Sequence, residues 1–315
     1  MPGQVGGSEP AAGDSGRYGW SVGGASTAGV VLLGGVVWVK HAPAAKPLPA
    51  LGWLAFGLVQ LQGLLGGLRV VLDAQIVTDV RLGTAFGIVH GCLGQAFLVL
   101  LCVIALLTSR GWREQYKVRL TDSVPANVAL GRLFVLVTAL IFLQLMIGAT
   151  MRHQHAGLAI PDFPLAYGKI WPDLSAEAVA RYNQQRVEIT AANAITPFQV
   201  WLQMVHRLMA LVVLFGVGFT AWQVRRVGGA RPVRLIASAW LGLILVQVAL
   251  GAWTIWSNKA ADIATAHVLV GALSLVTGVV GCIISSRRFT GATVAQGAPS
   301  AEGPCTDCAP VTVNS

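Results

Sequence analysis

Charged residues are scarce in this 315-residue chain. Only 11% of its residues are Asp, Glu, Lys or Arg, whereas 55% are hydrophobic, and the mean hydropathy is +0.67. A soluble domain needs a more polar surface, so this composition excludes one and predicts an integral membrane protein. In a membrane protein, Lys and Arg are expected mainly in the cytoplasmic segments. We therefore attribute the net charge of +9 to membrane topology and expect no nucleic-acid partner.

No acidic residue lies in any of the seven apolar runs that are long enough to cross a bilayer. These runs cover residues 20–39, 50–72, 82–107, 128–150, 199–222, 235–256 and 264–285. Secondary transporters commonly break such helices at midplane and line them with carboxylates, so the absence argues against ion-coupled transport. The sequence predicts an all-α integral membrane protein with seven transmembrane helices.

We also expect no signal peptide at this start, because residues 1–19 are rich in Gly, Ser, Pro and Ala and contain no apolar run. We expect this segment to be a disordered tail, residues 108–127 to be a cytoplasmic linker, and residues 289–315 to be a second, cytoplasmic tail. That second tail contains Cys305 and Cys308. We interpret them as an incidental pair, since two ligands are too few for a closed zinc site.

The basic residues are concentrated on one side of the predicted membrane helices. Clusters of Lys and Arg follow the first, third, fifth and seventh runs, which is one side of the membrane if the helices alternate. The clusters comprise Lys40, Lys46, Arg110, Arg113, Lys117, Arg119, Arg225, Arg226, Arg231, Arg234, Arg287 and Arg288. By the positive-inside rule this side is the cytoplasm. We expect a multi-pass protein of a bacterial plasma membrane, with its amino terminus outside and its carboxyl terminus cytoplasmic.

The chain repeats itself. The segment QGLLGGLRV at 62–70 shares Gln, Leu and Gly at the same spacing with QVALGAWTI at 247–255. A second match pairs two histidines that each precede a glycine by four residues: His90 with Gly94, and His267 with Gly271. Residues four apart lie on the same face of a helix. The repeat therefore places matching residues on the same face of the corresponding helices, the second and third runs in one copy and the sixth and seventh in the other.

The repeat divides the chain into an amino-terminal bundle over residues 20–107 and a carboxyl-terminal four-helix bundle over residues 128–288. Projecting His206 back by the repeat offset places Ser21 at the corresponding position. The second bundle therefore has both of its histidines, whereas the first has only His90. We predict two pseudo-repeated helix bundles, of which the first is incomplete.

Two histidines lie inside apolar runs, His206 in VWLQMVHRLMALVV and His267 in IATAHVLVGALS. An ionisable side chain within a membrane span is costly, and its default interpretation is functional. Imidazole is an axial ligand of haem iron, and helix bundles build cofactor sites from side chains on facing helices. The pattern favours one haem between His206 and His267. The alternative is that each histidine only hydrogen-bonds a neighbouring helix.

Arginines and histidines also stand near the expected outer ends of the helices. Arg69 and Arg207 could pair with haem propionates in fork geometry, or extend to lipid headgroups. His153 and His155 could line a route to a haem edge, or be solvated loop residues.

Four segments together resemble the haem A synthase family, which comprises the bacterial enzyme and its mitochondrial homologue. They are GATMRHQHAGLAIPDFPLAYG at 148–168, VHRLMALV at 205–212, LGAWT at 250–254 and AHVLVGA at 266–272. The resemblance covers the chain from about residue 20 to residue 288. It implies an oxidoreductase of haem A biosynthesis that oxidises the methyl group of haem O to the formyl group of haem A.

The resemblance also implies a role for each histidine. His206 and His267 match the pair that holds a haem B cofactor, with Arg207 beside them. His90 matches one of two histidines that bind the substrate haem, so it is expected at the catalytic site, and all three are expected iron ligands. The implied partners are the lipid bilayer, haem O, haem O synthase, cytochrome oxidase assembly factors and an unidentified electron donor.

The chain departs from the family pattern at its beginning. The family's first helix, the loop after it and the first HR motif have no counterpart before Ser21. Either the start is truncated or misplaced, or this is a diverged relative that has lost the oxidation chemistry. The second explanation gives an alternative function, a non-catalytic membrane protein like cytochrome b that binds haem or transfers electrons.

Overall fold

The structure, a computed structural model, describes residues 48–72, 76–77, 80–112, 128–185 and 194–296. The first predicted transmembrane run, at 20–39, lies outside the described residues, as do Cys305 and Cys308. The principal helices are α1 Leu48–Val71, α2 Leu82–Thr108, α3 Val128–His153, α4 Ala176–Gln185, α5 Pro197–Arg226, α6 Arg231–Trp256 and α7 Ala261–Gln296. A short antiparallel hairpin, β1 Ile76–Val77 and β2 Val80–Arg81, connects α1 to α2.

Every principal helix except α4 is long and apolar enough to cross a membrane. The prediction of an all-α integral membrane protein is therefore confirmed, and six of its seven spans fall on described residues. The helix ends follow local capping signals. Thr196 and Gln199 form a capping box at the start of α5, with Pro197 in the first turn, so this helix begins two residues before the apolar run.

The helices α3, α5, α6 and α7 form a closed four-helix bundle in which each packs against two others. At its core, Phe134 and Trp240 are fully buried and stacked, with ring centroids 5.6 Å apart. The Trp240 indole N–H donates to the carbonyl oxygen of Ser274 at 2.9 Å, which ties α6 to α7. A Cβ on Gly281 would lie 2.6 Å from the Phe134 ring, so this glycine permits the close approach of α7.

The helices α1 and α2 form an antiparallel pair, and α2 also packs against α3 and α7. This contact joins the pair to the four-helix bundle. At Gly87 on α2, a Cβ would lie 2.6 Å from the His153 ring on α3. Small residues allow membrane helices to approach closely, and Gly87 has this role here.

Two elements differ from the sequence-based expectation. The helix α4 lies in the segment between α3 and α5, outside every apolar run. It is short and polar, and it buries Val179 and Tyr182 against Ile160 of the preceding loop. The helix α7 continues to Gln296, past the boundary predicted at residue 288. No proline interrupts the chain between the start of α7 and Pro299, which permits a continuous helix.

Candidate functional site

His206 on α5 and His267 on α7 face each other across the four-helix bundle. These two helices are diagonally opposite, since each packs against α3 and α6. The imidazole centroids are 6.5 Å apart, and the ring planes are inclined by 59°. The structure thus brings together the two histidines that the sequence predicted as a pair.

The separation of the two rings suits a single metal atom between them. Metal–imidazole bonds are about 2 Å long, so two imidazoles on opposite sides of one iron have ring centres about 6 Å apart. Within the described ranges, no cluster of three or more His, Cys, Asp or Glu side chains could hold a metal ion. The pair therefore suits a metal that brings further ligands with it, as iron in a porphyrin does.

A glutamine and a glycine on α3 hold His206. The Gln144 amide nitrogen lies 3.3 Å from the Nε2 atom of His206 and donates to the His206 backbone carbonyl at 3.0 Å. A Cβ on Gly148 would lie 3.3 Å from the Cε1 atom of His206, so the ring rests on bare helix backbone. We call this arrangement a Gln–Gly–His unit.

The same unit recurs between α6 and α7. The Gln247 amide nitrogen lies 3.4 Å from the Nε2 atom of His267. A Cβ on Gly251 would lie 3.2 Å from the Cε1 atom of that ring. The two units therefore present their histidines to each other from opposite sides of the bundle.

A third unit holds His90 between α1 and α2. The Gln62 amide donates to the His90 backbone carbonyl at 3.2 Å, and a Cβ on Gly66 would lie 3.4 Å from the Cε1 atom of His90. The sequence repeat identified the glutamines and glycines of this unit and of the α6–α7 unit. It missed Gln144 and Gly148, although they show the same four-residue spacing.

Six polar atoms of the three units are buried without a hydrogen-bond partner among the described residues. They are the Oε1 atoms of Gln62, Gln144 and Gln247 and the Nδ1 atoms of His90, His206 and His267. Buried polar atoms normally have partners, and exceptions call for an explanation. Their recurrence at three places, each beside a histidine, is typical of a binding site rather than of plain helix packing.

The loop between α3 and α4 is held by one stripe of α5. Gln199, Gln203 and Arg207 are spaced four residues apart on one helix face. The Gln199 amide donates to the Gln154 carbonyl at 2.6 Å, and the buried Gln203 accepts from the Ile160 amide at 2.6 Å. This face of α5 therefore fixes the loop beside the helix that carries His206.

Arg207 completes the stripe. Its guanidinium donates to the carbonyl oxygens of Asp162 at 2.7 Å and Leu165 at 2.8 Å, and it lies over the Phe163 ring at 5.5 Å. Sequence reasoning placed Arg207 next to a cofactor. In the structure two of its donors hold the loop, while its buried Nε has no partner among the described residues.

The loop also folds on itself. The Asp162 carboxylate accepts from the backbone amides of Tyr167 at 2.7 Å and Gly168 at 2.9 Å. Gly168 has φ +73°, a left-handed conformation that favours glycine. Further along, hydrogen bonds from the backbone amide and side chain of Ser175 lower the pKa of the exposed Asp173 carboxyl. This segment is thus an ordered structure outside the membrane helices.

His153 and His155 lie apart from the facing pair. The His153 ring rests on Gly87 of α2, beside the aliphatic part of Arg69. His155 has φ 54° and lies two residues after the end of α3, where the chain turns into the loop. The structure therefore places His153 at the contact between the helix pair and the bundle.

The match to a family of known proteins extends over most of the chain. The model of the COX15-CtaA family, described as cytochrome oxidase assembly protein, matches residues 22–279. The chain belongs to this family. The matched range contains all three Gln–Gly–His units and the loop that Arg207 holds, so the resemblance expected from the sequence is confirmed.

Curated relatives include proteins named heme A synthase from Staphylococcus aureus strains JH9, Newman and MRSA252. Each is 26% identical to this chain over 240 residues, which is 74% of this chain and 68% of the relative.

Proposed function

We propose that this protein acts in haem A biosynthesis, as an oxidoreductase that converts the methyl group of haem O to the formyl group of haem A. The carrying observation is the 6.5 Å separation of the His206 and His267 rings on diagonal helices, which suits a haem B cofactor. Family membership and relatives named heme A synthase support the reaction class.

Each histidine has a distinct part in this proposal. His206 and His267 would hold haem B, and His90 on α2 would hold haem O. Haem B held by two imidazoles would supply electron transfer. Two successive hydroxylations by dioxygen, the second followed by loss of water, would turn the methyl into a formyl group. Each hydroxylation reduces the other oxygen atom to water and so consumes electrons, and the proposal therefore includes an electron donor outside the chain.

The protein's own contribution is orientation. The Gln62–Gly66–His90 unit fixes the histidine that holds the substrate, so that the methyl group is presented in one geometry. Arg207 is the residue directly after His206 on α5, and it donates hydrogen bonds to the loop. The position of the loop relative to the helix that carries His206 is therefore fixed.

The decisive experiment expresses the chain in a host that makes haem O but has no haem A synthase of its own. The wild type should carry low-spin haem B and form haem A. Either His206→Ala or His267→Ala should abolish the low-spin spectrum, because each removes one axial ligand. His90→Ala should keep that spectrum and lose haem A formation. His155→Ala, in the turn after α3, is the matched control and should change neither property.

Two other outcomes are informative. A low-spin spectrum that survives both His206→Ala and His267→Ala would show that the ligand assignment is wrong. A normal low-spin spectrum in the wild type without any haem A would favour the alternative, an electron-transferring protein like cytochrome b.

We also propose an orientation in the bacterial plasma membrane. The connection between α5 and α6 carries Arg225, Arg226, Arg231 and Arg234, and the positive-inside rule assigns it to the cytoplasm. Reporter fusions at Arg231 should then give a cytoplasmic signal, and fusions at Asp173 an external one. A cytoplasmic signal at Asp173 would contradict the orientation. Oxidase assembly factors are proposed partners on the basis of the family description. Haem O synthase is proposed as a partner because it would supply the substrate.

A further inference from the structure

A groove runs between α5 and α6 on the outer surface of the four-helix bundle, towards the end of α5 that carries Arg225. Its volume is about 550 Å³, which is typical of pockets that bind small molecules. The walls are apolar and consist of Leu214, Phe215, Gly218, Phe219 and Trp222 on α5 and Leu241 on α6. The chain thus has a concave apolar surface that the proposed haem sites do not use.

The aromatic side chains of this groove are exposed. Phe215 is 71% exposed, and Phe219 and Trp222 are each 49% exposed. They follow one another at spacings of four and three residues, so they form a stripe along one face of a helix that is apolar enough to cross a membrane. Lipid hydrocarbon surrounds such a face, and an acyl chain therefore fits along the stripe.

Arginines lie at one end of the groove. The Arg226 guanidinium lies over the Trp222 ring, 5.1 Å from its centroid. Arg225 donates to the Ser238 hydroxyl oxygen of α6 at 3.1 Å, so it spans the two helices that form the groove. Neither helix contains an Asp or Glu, and neither does the connection between them. No carboxylate of these two helices therefore neutralises the arginines.

The arginines at this end suit a phosphate group. A guanidinium has five N–H donors, and the hydrogen bond to Ser238 uses one of those on Arg225. Arg231 and Arg234, in the first turn of α6, add two further positive charges. The planar fork of arginine matches phosphate oxygens, and basic pockets between membrane helices bind the headgroups of anionic lipids.

The length of the groove fits one leaflet of a bilayer. Phe215 and Arg226 are 11 residues apart on α5, which corresponds to about 16 Å along the helix axis. The hydrocarbon core of a bilayer is about 30 Å thick, so each leaflet contributes about 15 Å. An acyl chain that begins beside Arg226 would therefore end near Phe215.

We propose that this groove binds one anionic phospholipid. The acyl chain lies along the three aromatic side chains, and the phosphate lies between Arg225 and Arg226. The positive-inside rule assigns this lipid to the cytoplasmic leaflet, and that assignment rests on the proposed orientation. Binding itself rests on neither the orientation nor the haem chemistry, and a test in detergent micelles is independent of both.

Native mass spectrometry of the purified full chain in micelles tests the headgroup. The probes are phosphatidylglycerol and phosphatidylcholine with identical acyl chains, and the wild type should bind one phosphatidylglycerol about tenfold more tightly. Arg225→Gln and Arg226→Gln should each weaken phosphatidylglycerol binding about fivefold, a typical contribution of one arginine to the attraction of anionic lipid. The matched control is Arg110→Gln after α2, which removes an exposed arginine away from α5 and α6 and should change nothing.

Three results of this experiment would overturn the proposal. Equal binding of the two lipids by the wild type would show that the groove does not select an anion. Equal weakening by Arg110→Gln would show that only the total charge matters. A dimer that retains no lipid would show that a second copy of the chain covers the groove instead.

A leucine placed in the groove tests the acyl-chain part. A Cβ on Gly218 would have no atom of another described residue within 4 Å, so Gly218→Leu extends into the groove without a clash. It should displace at least two methylene groups of the lipid and weaken binding about tenfold, since each buried methylene contributes roughly a factor of four. Gly57→Leu, on an exposed and equally open face of α1, should have no effect. Equal affinities of the two leucine variants would overturn the proposal.

Fluorescence locates the bound lipid. Bromine atoms on an acyl chain quench tryptophan fluorescence on contact, so brominated phosphatidylglycerol should give a saturable quenching of the wild type. Trp222→Phe should remove the saturable part and keep an aromatic ring in the groove. Trp53→Phe replaces a similarly exposed tryptophan on α1 and should retain that part. Saturable quenching that persists in Trp222→Phe would place the lipid elsewhere and overturn the proposal.

Discussion

The four-helix bundle and the α1–α2 pair hold their histidines in the same way but surround them differently. In the bundle, two Gln–Gly–His units face each other, above a core that contains the stacked Phe134 and Trp240. In the pair, one unit holds His90, and the buried residues of α2 are only Gly83, Gly87 and Leu100. Among the described helices, α1 and α2 contribute the unit that holds His90, whereas all four helices of the bundle contribute to the opposed pair.

The largest effect that tests this comparison is expected at Trp240. Trp240→Ala removes a fully buried ring, its stacking on Phe134 and the hydrogen bond to Ser274, and should lower the free energy of unfolding by about 3–5 kcal/mol. The matched change in the pair is Trp53→Ala on α1. This side chain is 54% exposed, so the change should cost under about 1 kcal/mol.

Both variants can be measured by denaturant titration of the purified protein in micelles. If Trp53→Ala cost as much as Trp240→Ala, the pair would be as tightly stabilised by its aromatic side chains as the bundle, and the contrast between the two regions would be wrong.

A smaller effect is expected at the arginines. Arg207→Ala removes two charge-assisted hydrogen bonds to the loop, which should lower the local opening free energy by about 1–3 kcal/mol. The amides of Tyr167 and Gly168 should then exchange their hydrogens faster. Arg69→Ala is the counterpart in the helix pair. Its exposed side chain makes no contact with the loop among those the structure describes, so exchange there should be unchanged.

Arg207→Lys sharpens this test, because lysine keeps the charge but lacks the planar fork that spans two carbonyls. Exchange rates between those of the wild type and Arg207→Ala are expected. Loop protection equal to the wild type in both Arg207 variants would show that the other contacts of the loop are sufficient.

The membrane helices could be predicted from the sequence because hydrocarbon imposes one requirement on all of them, namely a long apolar run. The helix α4 does not obey that rule. Its apolar side chains, Val179 and Tyr182, are few, and they pack on a loop whose fold depends on hydrogen bonds from α5. No local pattern contains that information.

The candidate site, too, could be predicted only in part from the sequence. His206, His267 and His90 were predicted, because an ionisable group in an apolar run is conspicuous. Gln144 was missed because glutamine is unremarkable until its distance from a histidine is known, and the two residues are 62 positions apart. The loop contacts of Arg207 span 42 and 45 positions, and no sequence pattern indicates which carbonyl oxygens an arginine at such a distance contacts.

The same separations have a consequence for synthesis on the ribosome. Gln247 and His267 are 20 residues apart on consecutive helices, so their unit can form as soon as α7 has emerged and entered the membrane. Gln144 must wait for 62 further residues, including the ordered segment that α5 itself stabilises. The α3–α5 unit and the loop beside it therefore form at the same stage of synthesis. Both are complete only when α5 has been synthesised and has entered the membrane.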